Sequence, residues 1–233
     1  MEINKYIDHT NLKAYATEED IKKLCEEAME NHFETVCVNP HYVSYAKELL
    51  KESNVLVCTV IGFPLGMNKT AVKEYEAIVA VEDGADEIDM VINIGALKDK
   101  NYDYVKQEIE DIRNAIDGKT LKVIIETCYL TNEEIIKMTE ICNETYVNFI
   151  KTSTGFGTKG AQVEDVELIN SHKSEILEIK ASGGIKTIDD AKKMILAGAT
   201  RLGTSSGLEI TKNNCAEHQC NHHCDCHKQE KGE

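Results

Sequence analysis

The stretch GADEIDMVI, residues 84–92, passes from the end of a helix into a strand, and GATRLG at 198–203 repeats the form. Working outward, short β-branched runs recur: TVCV at 35–38, VLVCTVI at 55–61, EIDMVI at 87–92, KVIIET at 122–127, VNFIKT at 147–152, LEIKAS at 177–182 and TRLGTS at 200–205. YIDHT at 6–10 supplies a short eighth. Charge-rich segments of helical spacing lie between them. In TEEDIKKLCEEAMENH, Thr17 is set to cap a helix with Asp20 at the third helical position, and Ile21, Leu24, Cys25 and Ala28 make one apolar stripe. TNEEIIKMTEIC from Thr131 and TIDDAKKMILAG from Thr187 repeat the device, the latter closed by Gly198. Apolar strands alternating with amphipathic helices imply a parallel sheet covered by helices. Eight such units predict an α/β protein with a closed (β/α)8 barrel as a single domain over residues 1–211; an open doubly wound sheet is the alternative.

The chain has 233 residues, a comfortable length for one such barrel. Its formal net charge is −15, from 26 basic and 41 acidic residues, which disfavours nucleic acid and anionic membranes as partners. An anionic substrate would need local help from backbone amides or a few lysines. No run of about 18 apolar residues offers a membrane span, and MEINKYIDHT lacks a charged-then-apolar secretion pattern. Cys25, Cys37, Cys58, Cys128 and Cys142 are scattered, several in apolar runs, as suits reduced thiols in a cytoplasmic protein.

In a parallel barrel the chemistry sits at the C-terminal ends of the strands. Those ends offer Asp8 and Thr10, Cys37, Phe63 and Pro64, Asp89 and Asn93, Glu126 and Thr127, Lys151 to Thr154, Lys180 to Gly184, and Gly203 to Ser206. Lys151 and Lys180 fall on consecutive strands, which lie about 4.8 Å apart. Two desolvated ammonium groups that close cannot both keep their protons cheaply, and a neutral lysine beside a second cation is the nucleophile of a Schiff-base enzyme. A lone lysine at a strand end is more often merely solvated or salt-bridged; the pairing and the small-residue loops that follow favour a site.

Asp89 is in phase with Glu87 and Val91, so all three share one face of their strand. Inside the barrel Asp89 would either relay a proton, directly or through water, or pair structurally with a lysine; Glu126 is the competing carboxylate. STGFG at 153–157, SGG at 182–184 and LGTSSG at 202–207 follow three late strands. Their amides, with the hydroxyls of Ser205 and Ser206 and with Lys186 outside, suit a phosphate.

IDHTNLK, VCVNP, VIGFPLG, ADEIDMVINIGAL, KVIIETCYL, FIKTSTGFG, KASGGIKT and RLGTSSG together resemble the deoxyribose-phosphate aldolase family, in order, from about Ile7 to Ser206. The resemblance implies a class I aldolase on a TIM barrel, free of any cofactor. It would cleave 2-deoxy-D-ribose 5-phosphate reversibly to acetaldehyde and D-glyceraldehyde 3-phosphate. By the same resemblance Lys151 is the Schiff-base lysine, Lys180 its pKa-depressing neighbour and Asp89 the proton-relay carboxylate. Asp8, Thr10, Cys37 and Thr154 would line the substrate site, with a plain buried thiol as the other reading of Cys37. Gly155, Gly183, Gly184, Gly203, Ser205 and Ser206 would cradle the phosphate. Barrels of this kind are often homodimers, but no interface is legible in one chain.

Residues 212–233 depart from the pattern. Cys215, Cys220, Cys224 and Cys226 stand among His218, His222, His223 and His227, the ligand types for Zn²⁺, Ni²⁺ or Cu⁺ at spacings of no recognisable finger. The expectation is a disordered appendage that can take a transition metal, with no metal in the barrel; an incidental tail is the plain alternative. No tyrosine follows Tyr146, so the terminal tyrosine of some family members has no counterpart. Two other functions stay open: another lysine-dependent, transaldolase-like aldolase, and a metal-binding protein whose barrel is an inert carrier.

Overall fold

A computed structural model describes residues 2–212. Eight strands pair in parallel and close in sequence order: β1 (Ile7–Asn11), β2 (Thr35–Val38), β3 (Leu56–Ile61), β4 (Glu87–Val91), β5 (Thr120–Ile124), β6 (Phe149–Lys151), β7 (Glu178–Ser182) and β8 (Arg201–Thr204). The helices between them are α1 (Glu18–Glu30), α2 (Val43–Leu49), α3 (Thr70–Glu82), α4 (Ile94–Lys98), α5 (Tyr102–Ala115), α6 (Asn132–Glu144), α7 (Val163–His172) and α8 (Ile188–Ala197). The closed barrel removes the open-sheet alternative. The tail ligands Cys215 to His227 lie outside the described residues.

Local signals set the helix starts. Thr17, Thr131 and Thr187 each close a capping box, with Asp20, Glu134 and Asp190; each is worth about 1 kcal/mol. The α1 stripe of Ile21, Leu24, Cys25 and Ala28 is buried. Outward strand residues such as Ile88, Met90, Val123, Ile150 and Ile179 meet helix residues such as Ile109, Ile112, Met138 and Ile169 in one continuous core. Each fully buried aliphatic side chain contributes roughly 1.5–3 kcal/mol.

The fifth strand differs from its sequence reading. It runs over Thr120–Ile124 and stops before Glu126, whose φ of 53° turns the chain into a 3-10 turn at Thr127–Tyr129. The end of β4 is held from outside by Lys73 and Glu108, both buried and 2.9 Å apart. Lys73 Nζ donates to Val91 O at 2.8 Å, and Glu108 accepts from Asn93 N at 3.1 Å.

Candidate active site

The period-2 alternation of the strands sends a second, charged set of side chains into the barrel. Lys151 and Lys180 are register partners on β6 and β7, and Asp89 is the register partner of Lys122 across β4 and β5. Asp89 Oδ2 accepts from Lys151 Nζ at 2.7 Å and from Lys180 Nζ at 2.8 Å. Its Oδ1 accepts from Lys122 Nζ at 2.8 Å. The two lysines predicted to repel one another therefore share a carboxylate oxygen.

The network continues below. Lys180 Nζ lies 2.5 Å from Asp8 Oδ2, and Lys122 Nζ lies 2.5 Å from Glu87 Oε2. Arg201 on β8 reaches Asp8 Oδ1 at 2.8 Å and Glu87 Oε2 at 3.3 Å. Burial works to raise the Asp89 carboxyl, but Lys122, Lys151 and Lys180 outweigh it and hold it well below the usual carboxylate range. Burial likewise works to lower Lys180, but Asp8 and Asp89 hold it above its ordinary value as an ammonium. Lys122 is raised against burial in the same way, chiefly by Asp89.

Of the three amines on Asp89, only Lys151 reaches the surface, with 4 % of its side chain exposed against 0 % for Lys122 and Lys180. It opens into a cleft of about 270 Å³ whose walls include Thr10, Thr154, Gly155, Gly183, Gly184, Gly203, Ser205 and Lys186. Two of those loops interlock: a Cβ on Gly160 would fall 2.1 Å from Gly183 O, so only glycine lets the β6 loop lie on the β7 loop. Ser182 Oγ donates to Ser153 O at 2.5 Å and ties the same loops. Glu126 turns to this scaffold as well, accepting from Thr154 N at 3.2 Å and from Thr154 Oγ1, so it anchors the loop instead of competing with Asp89.

Three predicted contacts are not on the cleft wall. Asp8 is fully buried as the counter-ion of Lys180 and Arg201. Cys37 is fully buried with Leu12, Cys58 and Val60, where Phe63 packs on the cluster, and lies off the cleft wall. The Ser206 amide donates to Thr204 Oγ1 at 2.9 Å, closing a local turn. Asp89 and Lys180 also lie beneath the cleft, fully buried and off its wall. Sequence reasoning missed Lys122, Arg201 and Cys58, and used Glu87 only for its phase. The available signal was a charged or thiol side chain in the inward phase of an apolar strand.

Among the described residues, Cys37, Cys58 and Asp89, and separately Asp8, Cys58 and Glu87, have the spacing of metal ligands. Both groups carry carboxylates already engaged by basic side chains, whose charge opposes a cation.

A DeoC/LacD family aldolase model matches residues 3–213. A deoxyribose-phosphate aldolase of Thermococcus gammatolerans is 58 % identical over 216 residues, covering 91 % of this chain and 96 % of that protein. The solved aldolase QR15 superposes with a TM-score of 0.90 at 45 % identity, over 94 % of this chain and 98 % of its own. The tetrameric deoxyribose phosphate aldolase of Aeropyrum pernix gives a TM-score of 0.86 at 31 % identity over 92 % of both chains.

Proposed function

The chain belongs to the DeoC/LacD aldolase family, and from that premise we propose that it cleaves 2-deoxy-D-ribose 5-phosphate reversibly to acetaldehyde and D-glyceraldehyde 3-phosphate. The observation that carries the site assignment is the position of Lys151, the one amine of the buried network on the cleft wall, beside the glycine loops. Lys151 Nζ adds to C1 of the open-chain sugar and, with loss of water, forms a protonated imine. The C3 hydroxyl gives up its proton, the C2–C3 bond breaks, and its electron pair moves into the imine. Glyceraldehyde 3-phosphate departs, and the enamine is protonated at C2 and hydrolysed, releasing acetaldehyde and the free amine.

Asp89 receives and returns these protons through Lys151 or an intervening water, while Lys180 remains charged beside them. The amides near Gly155, Gly183, Gly184 and Gly203, with Ser205 and Lys186, hold the phosphate. That grip, remote from the breaking bond, orients the sugar. The chemistry asks for no metal or organic cofactor. Borohydride with acetaldehyde should fix a two-carbon adduct on Lys151; an adduct on another lysine, or none, overturns the assignment.

The division into a barrel over 1–211 and a separate tail over 212–233 belongs to the same reading, as do a cytoplasmic location and a homodimer. No helix among the described residues is long and apolar enough to cross a membrane. The tail takes a transition metal through its cysteines and histidines, apart from catalysis. Removing residues 212–233 should abolish zinc uptake in equilibrium dialysis and leave aldolase turnover in place.

A further inference from the structure

Lys151, Lys180 and Arg201 form a row of cations in register on three neighbouring strands, β6, β7 and β8. The buried network as a whole holds four basic side chains, Lys122, Lys151, Lys180 and Arg201, against three acidic ones, Asp8, Glu87 and Asp89. All seven are closed off from solvent or nearly so. Charge of one sign in excess is costly in such a place, and it is relieved when one basic group gives up its proton. Lys122 and Lys180 each contact two carboxylates within 2.8 Å. A guanidinium keeps its proton in any protein environment. Lys151 touches a single carboxylate oxygen, already shared with Lys180, and so has the fewest carboxylate contacts of the four basic groups.

We propose that Arg201, at the end of the network away from the cleft, is the surplus cation that makes Lys151 reactive, a positioning residue that acts through Asp8 and Glu87 without touching substrate. The inference rests on Lys151 being the imine-forming lysine. Without Arg201 the network would count three basic and three acidic groups, and Lys151 would keep its proton to higher pH. The groups around Lys151 on every neighbouring element are Asp8 on β1, Cys37 on β2, Cys58 on β3, Glu87 and Asp89 on β4, Lys122 on β5, Lys180 on β7 and Arg201 on β8. Lys13 and Lys186 stand on the cleft wall, and Glu126, just after β5, holds the β6 loop through Thr154. Arg201 bridges Asp8 and Glu87 at 2.8 and 3.3 Å; Lys122 also reaches both, at 3.8 and 2.5 Å, but is bound to Asp89 as well, whereas Arg201 has no contact with Asp89. Against burial, those two carboxylates hold the guanidinium above its ordinary range, so its charge is constant throughout.

The test is the pH profile of kcat/KM for deoxyribose 5-phosphate cleavage by the full chain, for the native protein and for Arg201→Met, Arg201→Lys and Glu87→Gln. Arg201 is two strand spacings from Lys151, roughly 10 Å, so its charge should move the acidic limb by about one pH unit. Arg201→Met is expected to shift the limb up by about that much, losing about tenfold in rate below it and under about threefold on the alkaline plateau, with KM steady. Arg201→Lys should return the limb towards its native position, and Glu87→Gln should move it down. The opposite sign keeps the test open if Arg201→Met does not fold. An unmoved limb, or an equal loss at every pH, overturns the inference. Borohydride trapping with acetaldehyde on the same preparations separates the two levels. An adduct off Lys151 in the native protein defeats the site assignment; an adduct on Lys151 with unmoved limbs defeats the role of Arg201 alone.

Discussion

Lys180 and Asp8 pair at 2.5 Å with both side chains closed off from solvent. Asp8 also carries Arg201 and, at 3.8 Å, Lys122, so its carboxylate is spent on three cations beneath the cleft. Motif resemblance suggested a residue that lines the substrate pocket; the geometry makes Asp8 the ion that holds Lys180 charged and in line with Asp89.

Asp8→Asn should therefore act on turnover more than on binding. With one buried carboxylate removed, Lys180 and Arg201 lose their shared partner. We expect kcat to fall by about tenfold or more with KM changed by less than about threefold. A rise in KM at constant kcat would return Asp8 to the substrate wall.

Acid should unfold the protein through the same network. Asp8 and Asp89 are held below the usual carboxylate range by Lys180, Arg201 and Lys122, and by Lys122, Lys151 and Lys180, in each case against burial. For a depressed carboxyl the stabilisation is complete above the unfolded value, near pH 4, and is lost as pH falls towards the folded value. Below about pH 4 the unfolded chain binds protons that the folded one refuses, at about 1.4 kcal/mol per pH unit for each carboxyl. Urea unfolding at pH 5, 4 and 3 should show this slope, and Asp8→Asn should flatten it. A slope identical in the variant would remove Asp8 from the account.

The barrel was legible because each repeat carries its own signals. The threonine caps and the apolar stripe of α1 are local, and they survive into the fold unchanged. The ends of β5 were not legible, since KVIIET has uniform β propensity and only the left-handed turn at Glu126 ends the strand early. In the site, Lys151 and Lys180 could be paired from strand order and spacing, while Asp89 followed only from its phase, with Glu126 left as a competitor. The contact of Arg201 with Asp8 could not be read this way, because the pairing of β8 with β1 and its register are properties of the closed barrel; Lys122 was visible only as a charge in the inward phase of β5. Cys37 shows the converse: its strand-end position looks functional, but Leu12 and Val60 pack with it and keep it off the cleft wall.

The Lys73 and Glu108 pair gives a prediction remote from the chemistry. Burial leaves Lys73 below its ordinary value even with Glu108 beside it, so the ion pair is a poor source of stability but a costly one to break. Lys73→Met alone strands a buried carboxylate and should cost about 3–5 kcal/mol. Lys73→Met with Glu108→Gln keeps an acceptor for the Asn93 amide and removes the stranded charge, so it should recover much of that loss. Denaturant melts of the two singles and the double decide it, and simple additivity would contradict the coupling.

Gly184 offers the sharpest probe of the anion-binding loops. It lies on the cleft wall with φ of +80°, and a Cβ there would meet nothing within 4 Å. Space therefore permits a side chain, and the backbone conformation is one that aspartate and asparagine tolerate better than most residues. Gly184→Asn should cost about 1 kcal/mol in stability or less and leave the charge of the cleft unchanged. Gly184→Asp adds a negative charge at the proposed phosphate site. It should raise KM for deoxyribose 5-phosphate by about tenfold or more relative to Gly184→Asn, the effect shrinking as salt screens the cleft. Cleavage of unphosphorylated 2-deoxyribose, which presents no anion, should differ little between the two variants. If both substrates suffer alike, the aspartate has distorted the loop. If neither does, the phosphate binds elsewhere and the glycines after β7 serve only the packing of Gly160 against Gly183.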